Sequence, residues 1–319
     1  MSVPAVVEPG EALRVRRETF GDAIEFYAPG LKRWQSSEWV PEKANRFLPV
    51  SVTATACALQ CDHCKTKVLE GMITVSREMD LFATAARLQA QGTEGLLVSG
   101  GSTKRGGVPL LPHVDAMRRV REELGMRVIV HSGVVSPKLA AGLAEAGVDG
   151  VMLDIMGAEE TIREVYHLDL TPADFERSLA LLAEHEMRII PHIVLGLHYG
   201  RFLGEWHALE MIARHPVSTL ILVVLTPLIG TPMADLEPPP LADVTDFFAL
   251  ARVTMPDTKV NLGCGRPGGA MKVALDRAAI DHGLNGIAYP AEGMVAYARE
   301  RGLRPEFHEY CCSLTWANA

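Results

Sequence analysis

The sequence predicts a single α/β domain, a (βα)8 barrel of the TIM type. Three observations predict it. Eight short β-rich runs alternate with amphipathic helical stretches from residue 46 onward. The runs are almost continuously apolar, as strands covered on both faces are. No low-complexity segment, long linker or shift in composition divides them, although Pro238-Pro239-Pro240 marks a loop. Eight strand–helix units in about 260 residues suit a (βα)8 barrel, and a doubly wound open sheet is the alternative.

In chain order the strand-like runs are 47–55 (FLPVSVTAT), 95–101 (GLLVSGG), 127–133 (RVIVHSG), 150–157 (GVMLDIMG), 189–196 (IIPHIVLG), 219–227 (TLILVVLTP), 258–265 (TKVNLGCG) and 286–290 (GIAYP). Between them, helical patterns cover 78–91, 112–124, 137–146, 172–184, 205–214, 241–254, 268–282 and 292–302. The third begins at Ser136-Pro137, an N-cap followed by proline at the first helical position, and stops at Gly147. The fourth begins Thr171-Pro172-Ala173-Asp174 and sets Phe175, Leu179 and Leu182 on one face. Residues 1–45 read as an N-terminal extension with Tyr27, Trp34 and Trp39 available to cover a barrel end. Residues 46–302 form the barrel, and residues 303–319 a C-terminal tail expected over the barrel mouth.

At 319 residues, 48% hydrophobic and 22% charged, the chain can bury a large core without disulfides. A net charge of −8 argues against a nucleic-acid partner. The N-terminus lacks a basic segment followed by an apolar core, and the longest strongly apolar stretch, Val217 to Ile229, is too short to span a bilayer. These features predict a cytoplasmic protein with no membrane partner. In a reducing compartment, six cysteines read as metal ligands or catalytic groups.

Three of them, Cys57, Cys61 and Cys64, follow the first strand in 56-ACALQCDHC. Active sites of such barrels lie at the C-terminal strand ends, so this cluster falls at the mouth. The C-x3-C-x2-C spacing differs from the paired C-x2-C of structural zinc. Three thiolates can hold three irons of a [4Fe–4S] cube and leave the fourth open. The competing reading is a zinc site completed by His63 or a distant ligand.

This motif at the end of a first barrel strand resembles the signature of the radical S-adenosylmethionine (SAM) superfamily. The resemblance implies that the open iron chelates the amino and carboxylate groups of SAM. An electron from the cluster then releases a 5′-deoxyadenosyl radical, which abstracts hydrogen. It places His63 beside the adenine, where the family more often has another aromatic residue. It assigns Ser99, Gly100, Gly101 and Ser102 to the SAM amino group, Asp154 to the ribose and Gly196 to the adenine. Each has an ordinary reading as well: a turn for the glycines, a helix cap or surface carboxylate for Asp154. His131, His192 and His198 also fall at or near strand ends, as ligand contacts or satisfied core residues.

The other cysteines are Cys264, at the end of the seventh run, and Cys311 and Cys312 in the tail. If the tail folds back, the three form a second thiolate set suited to an auxiliary Fe–S cluster; otherwise they are buried free thiols. Adjacent cysteines cannot both point inward from a strand. The stretch 260-VNLGCGRPGGAMK resembles the biotin synthase segment whose arginine, matched by Arg266, ligates an auxiliary cluster. The middle strands lack the cysteines that biotin synthase carries there, which argues against that enzyme itself.

A resemblance covering most of the chain is to the subunits of the two-protein lipoyl synthases, through APGLKRW (28–34), ACALQCDHC (56–64), GLLVSGGS (95–102), VMLDIMG (151–157), HIVLGLHYGR (192–201) and EYCCSL (309–314). It implies a sulfurtransferase of lipoate biosynthesis that places sulfur on an octanoyl chain carried by a lipoyl-carrier protein. It implies two [4Fe–4S] clusters and SAM as cofactors. Its partners would be an octanoylated or partly thiolated carrier, a second radical SAM enzyme, and an electron donor such as ferredoxin or flavodoxin. Cys264, Cys311 and Cys312 would hold the sulfur-donating cluster, with Arg266 or Ser313 as fourth ligand. Leu195, Leu197, Leu225 and Leu228 are candidates to line an acyl site. The alternatives are another biotin-synthase-like reaction, such as a rearrangement or metallocofactor maturation, and a non-catalytic Fe–S or zinc protein.

Overall fold

The computed structural model describes residues 7–8, 10–43, 45–76 and 78–316. Its elements run α1 (Glu11–Phe20), β1 (Ala23–Tyr27), β2 (Phe47–Ser51), β3 (Ile73–Thr74), α2 (Leu81–Gln89), β4 (Gly95–Ser99), α3 (Val114–Leu124), β5 (Arg127–His131), α4 (Pro137–Glu145), β6 (Gly150–Asp154), α5 (Glu159–Glu164), α6 (Pro172–Glu184), β7 (Ile189–Leu195), α7 (Glu205–Ala213), β8 (Thr219–Val224), α8 (Leu241–Thr254), β9 (Lys259–Leu262), α9 (Gly269–Asp281), β10 (Gly286–Ala288), α10 (Met294–Glu300) and β11 (Arg304–His308).

The eight expected strands are present as β2 and β4 to β10, neighbour to neighbour and parallel throughout. Local chemistry starts the helices where the sequence indicates. Ser136 Oγ accepts from the Leu139 N–H at 3.3 Å to cap α4, and Thr171 and Asp174 form a reciprocal cap on α6. Every parallel strand pair needs a crossover, and the helices supply it while burying the outer sheet face.

Strand alternation divides the interior into two layers. On β5, Val128 and Val130 pack outward against the helices, whereas Ile129 points inward with Phe47, Met152, Ile190 and Ile221. The extension and the tail are not mere covers: each adds a strand. β1 pairs with β10, β11 pairs with β1, and β3 adds to β2. The result is a curled parallel sheet of eleven strands, a half-barrel whose strand order ends at β11 and β3. Trp34 and Trp39 pack on each other and on Tyr289 and Phe307, while Tyr27 is a residue of β1 itself.

The tail lies at the other end of the barrel from the mouth where it was expected. Thr315 Oγ1 meets Thr219 Oγ1 at 2.7 Å, and Lys259 Nζ donates to the Thr315 carbonyl at 3.2 Å. The Trp316 ring fills the space beside Gly150, where a Cβ would lie 3.2 Å from it. Thr219, Lys259 and Gly150 are the first residues of their strands, so the tail closes the strand-start end. Leu314 and Cys312 join the inner apolar layer from below. Among the described residues, no helix is long and apolar enough to cross a membrane.

Candidate metal and cofactor site

The loop after β2 carries Cys57, Cys61 and Cys64 into a cavity of about 340 Å³ at the strand C-terminal end. Cys61 O accepts from the Cys64 and Lys65 N–H groups at 3.1 and 2.9 Å, a tight turn that folds the C-x2-C segment on itself. Gln60, Lys65 and Thr66 take positive φ values of 52°, 43° and 67°, a cost that a surrounding structure must meet.

Asp62 supplies one tether. Its carboxylate accepts from Tyr199 Oη at 2.8 Å, pairs with His167 Nε2 at 3.0 Å and meets Lys65 Nζ at 3.1 Å. The Ser99–Ser102 segment supplies the other. Ser102 O accepts from the Ala58 N–H at 2.8 Å, and the Gly101 N–H donates to Thr53 Oγ1 at 2.7 Å. A Cβ on Gly101 would overlap the Ala56 carbonyl and the Cys57 backbone, so this glycine is required by the close approach of the cysteine loop.

Cys57, Cys61, Cys64, His63, Ser99, Gly100, Gly101, Ser102 and Asp154 all line this one cavity. Burial, then the neighbouring Cys64 and Cys57, push the Cys61 thiol up to about 12, and burial also raises Cys64. Thiols crowded this way become thiolates only when a cationic centre compensates them, which is the chemistry of a metal cluster. Neither cysteine triad is among the groups of three donors lying within 4.8 Å of one another, the closeness a single shared ion needs. That spacing favours a multi-iron cluster over zinc.

His63 is half-buried, its Nδ1 is enclosed without a partner, and its ring faces Tyr166 at 5.1 Å. Burial lowers it to about 4, so it is neutral. Tyr166 Oη in turn donates to Asp154 Oδ2 at 3.3 Å. Burial opposes the Asp154 charge, but His131, and then His192 and His63, outweigh it and hold this carboxyl well below the usual range. No motif marks Tyr166, which follows α5 and reaches the site only through the fold.

Gly196 does not line the cavity. It has φ 73°, Pro239 lies where its Cβ would be, and its N–H donates to Glu205 Oε1 at 2.9 Å. His198 is buried beside Thr161, away from the cavity. The acyl-lining leucines also fall elsewhere. Leu195 and Leu225 belong to the layer between strands and helices, Leu197 lines a separate cavity of about 20 Å³, and Leu228 lines neither that cavity nor the one that holds the cysteine loop. Alternation explains Leu195, because on β7 it is Ile190 that joins the inner layer. The apolar wall comes instead from Leu31, Leu59, Leu69, Met72, Leu97 and Phe175.

A second cavity of about 100 Å³ holds the other cysteines. Cys264, Cys311, Cys312 and Ser313 line it with His192, Met152, Ile221 and Val223. Cys264 is exposed and lines this cavity. The neighbouring Cys312 thiol, with Ser313, outweighs burial and draws the Cys311 thiol below its ordinary value, while Cys311 and burial push Cys312 far up. Ser313 Oγ is buried in this wall without a hydrogen-bond partner. Arg266 is not in this wall. It grips Asp276 through Nε at 2.7 Å and Nη2 at 3.1 Å, and donates to the Gly263 and Tyr289 carbonyls. Of the two candidate fourth ligands, only Ser313 faces the cavity. The two cavities share Leu31, Pro49 and Leu97.

Residues 51–214 match the Radical SAM superfamily. A biotin synthase of Novosphingobium aromaticivorans is 27% identical over 229 residues, 68% of this chain and 64% of that protein. One of Ruegeria pomeroyi is 26% identical over 71% of this chain and 73% of that protein. Matches to Acinetobacter baumannii biotin synthases span only 47% of their length. In fold, the chain is similar to methylornithine synthase (TM-score 0.62, 13% identity, 92% of this chain and 87% of that one) and to HydG, a maturase of the [FeFe]-hydrogenase (TM-score 0.63, 16% identity, 92% and 67%). With the match covering half the chain and the cysteine loop at the mouth of a curled parallel sheet, this protein belongs to the radical SAM superfamily.

Proposed function

We propose that the protein is a radical SAM sulfur-insertion enzyme, biotin-synthase-like, acting as one component of a two-protein lipoyl synthase. The observation that carries this reading is the second cysteine cavity abutting the first. A second three-thiol set beside the first supplies what sulfur insertion needs, a sulfur source within reach of the carbon that loses hydrogen.

The residues fit the groups the family carries. Cys57, Cys61 and Cys64 would hold the [4Fe–4S] cluster, with the Ser99–Ser102 backbone, Asp154 and His63 around SAM. Cys264, Cys311 and Cys312, with Ser313 as fourth ligand, would hold an auxiliary cluster. When bound, the first cluster and SAM supply a carbon radical strong enough to take hydrogen from an unactivated C–H bond. The chain's own part is positional. Asp62 and Gly101 fix the cysteine loop, the apolar wall excludes water, and Leu31, Pro49 and Leu97 border both chambers. An octanoyl chain on a lipoyl-carrier lysine suits that wall. A second radical SAM protein and a ferredoxin or flavodoxin complete the proposed partners.

The test incubates anaerobic protein with SAM and reductant, on octanoyl-lysine or monothiolated octanoyl-lysine peptide, and follows mass. Sulfur gained by one peptide and not the other supports the reading and assigns the step. About four irons per chain, one cluster instead of two, overturns it in favour of a rearrangement or maturation reaction. Intact reduced cluster that forms no 5′-deoxyadenosine from SAM overturns radical chemistry altogether.

A further inference from the structure

The rim of the larger cavity carries charge that the site below it does not use. Lys32 and Arg33 follow the lining residue Leu31, and Lys104 and Arg105 precede the lining residue Gly106. All four are exposed, yet none lines either cysteine cavity, so their charge faces what approaches the mouth. Arg33, Lys104 and Arg105 make no ion pair with any described residue. Lys32 Nζ rests 4.4 Å from the centre of the Tyr289 ring instead of on a carboxylate. In a chain with 39 acidic and 31 basic residues, unpaired cations gathered beside one opening depart from the rest of the surface.

Apolar side chains stand among them. Leu31 is 40% exposed and Val68 58%, both in the cavity lining, and Ile229 is 92% exposed. Ile229 stands next to the Val68 loop, since a Cβ on its neighbour Gly230 would lie 3.5 Å from Lys67 Cε. An apolar centre with a charged rim is the anatomy of a protein interface. We propose that this rim docks the acidic face of a folded carrier protein, which delivers its acylated lysine side chain into the larger cavity. The inference rests on the function proposed above and names the surface that such a carrier presents.

The surrounding charges favour a compact protein over an extended polyanion. Glu159, Glu160 and Glu164 on α5 and Asp169 beyond it are exposed. This segment packs on the cysteine loop, where the Val165 carbonyl accepts from the Asp62 N–H at 3.0 Å. A nucleic acid or an anionic bilayer laid over the mouth would meet those carboxylates as well as the cations, with a net charge of −8 behind them. A folded partner with one acidic patch can meet the cations alone, and the α5 carboxylates disfavour its wrong orientation.

The experiment uses full-length protein with its clusters loaded and a fluorescently labelled, octanoylated lipoyl-carrier protein of net negative charge, with binding read by anisotropy. Affinity is expected to fall at least about tenfold as ionic strength rises from about 0.01 M to about 0.15 M. Lys32→Glu/Arg33→Glu and Lys104→Glu/Arg105→Glu are each expected to weaken binding at least about tenfold at low salt, with iron content unchanged. Replacing the carboxylates that flank the carrier's acyl-lysine by lysine is expected to restore binding to the reversed proteins, a rescue that a misfolded variant would not give. Ile229→Ser is expected to weaken binding about fivefold without altering its salt dependence. Binding indifferent to salt and to both charge reversals overturns the proposal, as does displacement of the carrier by duplex DNA or phosphatidylserine vesicles at equal charge concentration. Sulfur gain by the octanoyl-lysine peptide, which lacks the acidic face, is measured separately, so failure of docking and failure of the reaction are distinguishable.

Discussion

The two cysteine chambers are built in opposite ways. The larger takes its three thiols from eight consecutive residues, and its turn, its tethers and its glycine support all serve one loop. The smaller takes Cys264 from beyond β9 and Cys311 and Cys312 from beyond β11, and needs the whole sheet to bring them together. The first is a local motif that the fold places. The second is a product of the fold.

The sharpest way to break the comparison is to empty each chamber separately. The Cys57→Ala/Cys61→Ala/Cys64→Ala variant is expected to lose about half the iron and all 5′-deoxyadenosine formation. Cys311→Ala/Cys312→Ala is expected to lose the other half while still cleaving SAM. Iron analysis and chromatographic detection of the nucleoside read both. If either variant loses both clusters, the chambers are not independent.

Next in size is Asp276→Ala. It strands Arg266, whose side chain is 1% exposed and whose other bonds hold the Gly263 and Tyr289 carbonyls next to Cys264. Leaving a buried charge unpaired costs about 3–5 kcal/mol. A fall in denaturation midpoint of that order, with loss of iron from the smaller chamber first, is the expected result.

Gly101→Ala is the counterpart at the larger chamber. Overlap with the Ala56 carbonyl must displace the cysteine loop, at about 1–3 kcal/mol. Iron loss is expected there and not at the smaller chamber, as read by electron paramagnetic resonance of each cluster.

The smallest effect is a pH dependence. Partial burial works against the Asp62 charge, but hydrogen bonds from Tyr199, Lys65 and His167 outweigh it and hold the carboxyl below its ordinary value. A depressed folded-state pKa gives stability that is fully present above the unfolded value near pH ~4 and lost as pH falls through the folded value. The melting temperatures of wild type and Asp62→Asn should therefore differ at neutral pH and converge in acid. A gap that persists at low pH would show that the charge is not what tethers the loop.

The same contrast explains what could be read from sequence. The eight interior strands announce themselves as apolar runs, and the residues that share the larger cavity sit at their ends, where strand periodicity and one motif suffice. β1 and β11 gave no such signal. AIEFY lies in an apparent extension, and RPEFH is charged and carries a proline, so only long-range pairing makes either a strand. Tyr166 and Leu31 reach the cavity from loops whose course no local pattern dictates. The end of the barrel that the tail closes was equally illegible, because it depends on Trp316 finding the gap beside Gly150. Arg266 looked like a ligand from its place after Cys264, yet a carboxylate ten residues later, on α9, holds it.

The wall common to both chambers has a consequence for how such a protein diversifies. Pro49 and Leu97 lie on paired strands in the interior of the sheet, whereas most of the larger chamber's remaining lining comes from loops. Loop changes can therefore reshape what enters while the interval between the two cysteine sets stays as fixed as the strand spacing, about 4.8 Å per step across the sheet. The sheet acts as a ruler, and descendants of this architecture are free to change their guests without recalibrating it.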